Sequence, residues 1–271
     1  MDDDGLQVRP AHLATTYDRA GTAYDGRPGY PDAVFGILAS ECGLAPGCRV
    51  LEIGPGTGQA TAPLLDRGAT VVAIEPGAEL ARIVRQRTAG RACEVVEARF
   101  EDAVLPAEPF DLVAAATSFH WVDVDTGIRR AAEHLRPGGH LALWWALWGD
   151  PDRDDPFSDA LGSMLRDRAP QLVAVYAGLD VYLADLRARV ARIEPTGWFD
   201  PVVEHTLRWE GEQSPRELRS MYATFAAWIA LEEPLRTELL DEVERLARED
   251  FDGRVVRPYR LLLCRARRRD T

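Results

Sequence analysis

The sequence predicts an α/β fold built on a doubly wound, mostly parallel seven-stranded sheet. Short apolar runs alternate with amphipathic stretches from about residue 49 to 145, the pattern of strands joined by crossover helices. A glycine cluster, Gly54, Gly56 and Gly58, sits where the first apolar run meets the first amphipathic stretch. Turn residues such as Gly43, Gly68 and Pro137-Gly138-Gly139 punctuate the elements, and Gly and Pro are the strongest local breakers.

Residues 1 to about 30 are rich in Gly, Pro, Tyr and Arg and read as an irregular arm with a short helix near Leu13–Ala20. After Pro31, the apolar residues Ala33, Val34, Ile37 and Leu38 recur at helical spacing, and Gly43 ends the helix. Strands are then expected at Arg49–Ile53, Ala69–Ile74, Cys93–Ala98, Phe110–Ala116 and His140–Trp145. Helices are expected over 59–66, 78–88 and 126–134. Past Gly149 an acidic loop leads into helices near 156–168 and 171–193, read as a cap over the carboxyl ends of the strands. A strand at Val202–Trp209, helices near 214–230 and 234–249, and a final strand at Tyr259–Arg267 complete the chain. The organisation is a single domain over 1–271, with a core at about 31–148, a cap at about 150–195 and a C-terminal part at about 200–270.

Composition removes several function classes. The formal net charge of −12 opposes a nucleic-acid partner, because phosphate binding needs a basic face. The local run Arg265, Arg267, Arg268 and Arg269 reads as a solvated tail. All 32 basic residues are arginine. That excludes a Walker A lysine and a pyridoxal-phosphate Schiff base. The four cysteines are scattered and form no metal-ligand pair, so no metal site is expected. No apolar leader follows Met1, and no run has the length of a membrane span. The expectation is a cytoplasmic monomer or homodimer with no membrane partner.

The segment Glu52-Ile53-Gly54-Pro55-Gly56-Thr57-Gly58 carries the functional signal. Glycines let the backbone turn sharply and a ligand approach, and the following helix offers free N–H groups. A dinucleotide fingerprint would place its third glycine at position 59, which is Gln59 here. An acid preceding the loop, Glu52, would repel a pyrophosphate but suits a zwitterionic amino-acid moiety. Glu75 ends the second strand, where a carboxylate can accept both hydroxyl protons of a ribose.

Val50 to Gly58 resembles motif I of the class I S-adenosylmethionine-dependent methyltransferases, which have a Rossmann-like sheet. Further segments resemble the small-molecule subgroup containing trans-aconitate methyltransferase: Tyr24 to Pro31, Phe100-Glu101-Asp102, Ala116 to Asp123, and Leu135 to Gly139. The resemblance implies S-adenosylmethionine as cofactor, held at Gly54, Gly56 and Gly58, with Glu52 behind the loop and Glu75, followed by Pro76, at the ribose. It implies that Tyr24 and Arg27 reach the cofactor from the arm, Arg27 pairing with its carboxylate. Phe100 and Glu101 would flank the adenine, in place of the Asp that many relatives carry where this chain has Arg99. Thr117 would touch the methionyl part through its backbone.

Methyl transfer from a sulfonium is an in-line displacement that needs a base only when the nucleophile must lose a proton. His120, just after the fourth strand, is the candidate base. Phe119, Trp121, Trp145 and Trp148 are candidate walls of a substrate pocket, and strand alternation puts Trp144 and Trp145 on opposite faces. The acceptor is expected to be a small molecule, at an O, N or C atom, in small-molecule and possibly secondary metabolism. The alternatives are the same fold catalysing a non-methylation reaction such as cyclisation, or a non-catalytic cofactor-binding regulator. A nucleotide dehydrogenase is opposed by the glycine spacing.

Overall fold

The computed structural model describes residues 27–177 and 179–270, without side chains for 174–180. The arm helix near Leu13–Ala20 and Tyr24 lie outside the described residues. The first described helix, α1 (Asp32–Cys42), starts after Pro31 and stops at Gly43, whose φ of 76° is a conformation few other residues tolerate.

Alternation then follows: β1 (Arg49–Ile53), α2 (Thr61–Asp66), β2 (Thr70–Glu75), α3 (Ala78–Arg87), β3 (Cys93–Glu97), β4 (Phe110–Ala116), a 3-10 turn (Phe119–Trp121), α4 (Val124–His134) and β5 (Leu135–Leu147). After it come α5 (Pro156–Arg168), α6 (Pro170–Ala177), α7 (Leu179–Val190), β6 (Val203–Gln213), α8 (Pro215–Ala223), α9 (Ala226–Ile229), α10 (Glu233–Glu249) and β7 (Val255–Arg267). The seven strands form one sheet in the order β3-β2-β1-β4-β5-β7-β6. The first five are parallel, and β7 runs antiparallel to both β5 and β6. This is the expected doubly wound, mostly parallel sheet.

Both faces of the sheet are covered. Val50, Ala73, Ala114 and Trp144 face α1 and α2, while Leu51, Ile74, Val113 and Trp145 pack on the opposite side. Neighbouring strand residues thus serve two separate cores, as period-2 alternation requires. A third apolar cluster joins α5 and α6 to α8, α9 and α10 through Phe157, Leu165, Leu172, Met221, Trp228 and Val243. The segment read as one cap therefore divides. Its first two helices build this third core with residues from beyond β6, whereas Leu186 and Val190 of α7 return to the sheet.

Several boundaries differ from expectation for physical reasons. The expected helix 214–230 is interrupted: the Thr224 hydroxyl donates to the Met221 carbonyl at 2.6 Å and Phe225 is extended. A threonine bonded to its own helix competes with continued helix. The helix 171–193 becomes α6 and α7, which flank Gly178. β7 begins at Val255 and runs through Pro258. Pro258 pairs with β6, and pairing to β5 begins only at Arg260, so its missing N–H is tolerated. The arginine run is not a loose tail. Arg265 binds Glu41 from within β7, Arg268 donates to the Leu135 carbonyl, and Arg267 and Arg269 meet Asp200.

Candidate active site

The glycine-rich loop leaves β1 at the carboxyl edge of the sheet. Gly54, Gly56 and Gly58 all have positive φ, at 67°, 60° and 97°. Gly54 is the most constrained. Its N–H donates to the Ile74 carbonyl at 2.9 Å, and a Cβ there would lie 2.6 Å from the Ser118 Cβ. Ser118 in turn donates its hydroxyl to the Ile53 carbonyl. The turns after β1 and β4 are therefore locked side by side.

Two carboxylates serve the loop differently. Glu75 accepts the Gly56 N–H at one oxygen and the Gly77 N–H at the other, both at 3.0 Å, which orients it beside the loop. Glu52 is 0% exposed, between Ala73 and Ala114 of the neighbouring strands. Among the described residues neither Glu52 oxygen nor the Thr61 hydroxyl has a hydrogen-bond partner. Burial pushes the Glu52 carboxyl up to about 7, the nearby Thr61 hydroxyl pulls it back, and Glu75 adds repulsion.

A crevice of about 340 Å³, including space open to solvent, runs along the loop. Gly54, Pro55, Gly56, Gln59 and Ala60 of the loop line it together with Arg27, Pro28, Tyr30, Trp148 and Ala116 at the end of β4. Tyr30 donates to the Thr117 hydroxyl at 3.0 Å. That hydroxyl also accepts the Ala146 N–H at 3.2 Å. Thr117 has a φ of 54°, a region that costs a β-branched residue strain and concentrates at functional turns.

A methyltransferase-domain family model matches residues 51–143. An uncharacterised methyltransferase of Mycobacterium tuberculosis is 30% identical over 236 residues, covering 86% of each chain. The chain belongs to the S-adenosylmethionine-dependent methyltransferases. A candidate type II methyltransferase of Anaeromyxobacter dehalogenans has the same fold, with a TM-score of 0.61 and 25% identity over 89% of this chain and 97% of that one. A Haemonchus contortus phosphoethanolamine N-methyltransferase, solved with S-adenosyl-L-methionine, shares the fold at a TM-score of 0.57 and 14% identity, covering 100% of this chain and 62% of that one.

In this methyltransferase Gly54, Gly56, Arg27 and Trp148 meet at one crevice, with Glu75 bonded to its loop. Other expected site residues are placed elsewhere. The Phe100 side chain is in the core beneath Arg130, and Pro76 follows Glu75 into the turn before α3. Glu101 accepts from Arg99 and from the Asp123 N–H, at 2.9 and 3.1 Å, so its carboxylate holds the start of α4. The Thr117 N–H donates to the Trp144 carbonyl at 2.7 Å and is engaged within the sheet.

Two of the expected aromatic walls pack in the core: Trp145 is 0% exposed and Phe119 is buried against Gly127. Alternation sends Trp145 to one core and Trp144 to the other, and both are covered because helices cover both faces. Trp121 is half-buried against His120, with ring centroids 4.9 Å apart.

The surroundings of His120 argue against the role of base. It is 5% exposed, and its Nδ1 accepts from Trp145 Nε1 at 3.2 Å. Indole nitrogen only donates. The neutral imidazole therefore carries its proton on Nε2, and neither nitrogen offers a lone pair to an acceptor's proton. His120→Ala is expected to retain turnover per folded molecule. It should lower stability by about 1–3 kcal/mol, because the Trp145 N–H is left buried without an acceptor. Denaturant midpoints measured beside kcat check this, and a large fall in kcat at unchanged midpoint would restore the base.

Among the described residues, no group of His, Cys, Asp and Glu could hold a metal ion. No described helix is long and apolar enough to cross a membrane. Sequence reasoning missed Ser118, Tyr30, Gln59 and Thr224 as parts of the site. Tyr30 and Ser118 stood in segments that carried the resemblance and Gln59 beside the last loop glycine, all without a role of their own, and Thr224 meets Arg27 only through folding.

Proposed function

We propose that this enzyme transfers the methyl group of S-adenosylmethionine to a small-molecule acceptor that enters at the crevice beside the glycine-rich loop. The reading rests on Glu52. A fully buried carboxyl whose oxygens have no donor among the described residues is costly unless a ligand compensates it. Its position behind the loop fits a cationic donor. The crevice brings the loop together with Arg27, Tyr30 and Trp148, and the acidic chain disfavours nucleic acid.

When bound, S-adenosylmethionine supplies an activated sulfonium methyl group. The chain's own residues then bind, align and exclude water. Gly54, Gly56 and Gly58 let the backbone approach the donor. Glu75, oriented by Gly56 and Gly77, presents a carboxylate for the ribose hydroxyls. Trp148 and Tyr30 give the acceptor side an apolar surface, which favours an apolar or aromatic acceptor at O, N or C. Because His120 holds Trp145, deprotonation is left to acceptors that lose a proton readily or need to lose none.

Titration with S-adenosylhomocysteine by calorimetry, followed by incubation with S-adenosylmethionine and a panel of small aromatic and apolar acceptors, tests the reading. Binding and a methylated product that forms together with S-adenosylhomocysteine are expected. Absence of binding would overturn it.

A further inference from the structure

Arg27 and Thr224 are 197 positions apart and in direct contact. The Arg27 Nε donates to the Thr224 hydroxyl at 2.8 Å, and Nη2 donates to the Thr224 carbonyl at 3.0 Å. Thr224 is the C-cap of α8, where unpaired carbonyls and the negative end of the helix dipole favour a cation. Because the Thr224 hydroxyl spends its own hydrogen on Met221, its lone pairs are left to accept. The guanidinium also lies 5.8 Å from the Trp148 ring and 5.5 Å from the Phe225 ring, within cation–π range. Arg27 and Trp148 line the same crevice as Gly54 and Gly56.

These contacts give Arg27 a different task from pairing with a cofactor carboxylate. We propose that Arg27 is a positioning residue that closes the crevice: clasped by Thr224, Trp148 and Phe225, it ties the segment before α1 to the helices beyond β6 and sets how fast the cofactor leaves. The inference rests on the S-adenosylmethionine reading above. Its structural basis is the break at Thr224 and Phe225 between α8 and α9, a point where the chain can pivot without unwinding a helix. Opening the crevice at this wall separates Arg27 from Thr224, Trp148 and Phe225 together, so removing any one of these contacts should speed release.

The two roles of Arg27 differ toward a ligand that lacks the carboxylate. Dissociation rates of S-adenosylhomocysteine and of 5′-methylthioadenosine, which keeps the adenosyl and sulfur but has no amino-acid part, are measured by displacement. The variants are Arg27→Met, Phe225→Ala, their double and Thr224→Val. The clasp predicts that both ligands leave Arg27→Met at least about tenfold faster, the scale of a lost hydrogen bond from a charged group. It also predicts that the double variant releases no faster than Arg27→Met, because both remove one device. Acceleration for S-adenosylhomocysteine alone assigns Arg27 to the carboxylate and overturns the clasp, as do unchanged rates for both ligands. If Arg27→Met does not fold, Thr224→Val decides, with faster release of both ligands expected and unchanged release overturning the proposal. Absence of S-adenosylhomocysteine binding by the unaltered protein overturns the functional reading and the clasp together, whereas binding with unchanged rates removes the clasp alone.

Discussion

Glu52→Gln is expected to bind S-adenosylmethionine at least about tenfold more weakly and yet, without ligand at pH 8, to be more stable than the native protein by up to about 3 kcal/mol. The folded-state carboxyl titrates near 7 instead of 4.5 because burial removes its water. Between those values the folded chain keeps a proton that the unfolded chain has released. Ligand-free stability therefore falls as pH rises from about 4.5 to about 7 and stays low above it. A neutral amide of the same shape removes that penalty and with it this part of the pH dependence. It also removes the charge that draws a cationic donor, a trade of stability against function common at binding sites. Binding should release a proton from Glu52, so affinity should fall as pH drops below about 7 in the native protein and change less in Glu52→Gln. Calorimetry in buffers of different ionisation enthalpy, with urea midpoints across pH, reads both. Equal stability of the two proteins at pH 8 would sink the argument.

Arg257→Met is expected to destabilise the protein by about 3–5 kcal/mol, the cost of stranding one member of a buried ion pair. Arg257 is buried on β7. It donates to Asp155 at 2.8 and 3.0 Å, to Ser158, to the Trp148 carbonyl and to the Tyr222 hydroxyl. Asp155 also caps α5, accepting the Ser158 N–H at 3.0 Å. One guanidinium thus fixes the end of β5, the start of the helical region and α8, and with them the Trp148 wall of the crevice. Urea denaturation gives the size of the loss. Arg245→Met, which breaks only exposed pairs on α10, should match the native protein, because exposed ion pairs contribute little. A small effect at Arg257 would mean the pair is replaceable by apolar packing.

The order and type of the elements were readable because each carries its own local signal. β4 spans Phe110–Ala116 and α5 spans Pro156–Arg168, the bounds expected from apolar run, proline and turn residues. Boundaries moved where local and tertiary preferences disagree. Pro258 suggests a stop, but β6 alone lies beside it, so the strand continues. Thr224 looks helical in its neighbourhood, yet its hydroxyl bonds back to Met221 and the helix breaks.

The same division runs through the site. The sequence by itself determined the glycine loop, the acids Glu52 and Glu75 and the doubly wound sheet, because local spacing along successive strand-turn-helix units dictates them. The partners of His120, the fate of Trp145 and Phe119 and the contacts of Arg27 were decided by tertiary structure. Alternation says that Trp144 and Trp145 face opposite ways but not that helices cover both faces, and nothing near Arg27 in the chain names Thr224. Those pairings depend on which surfaces meet when the helices beyond β6 pack back onto the strand ends, and chemistry at the loop's mouth is set there.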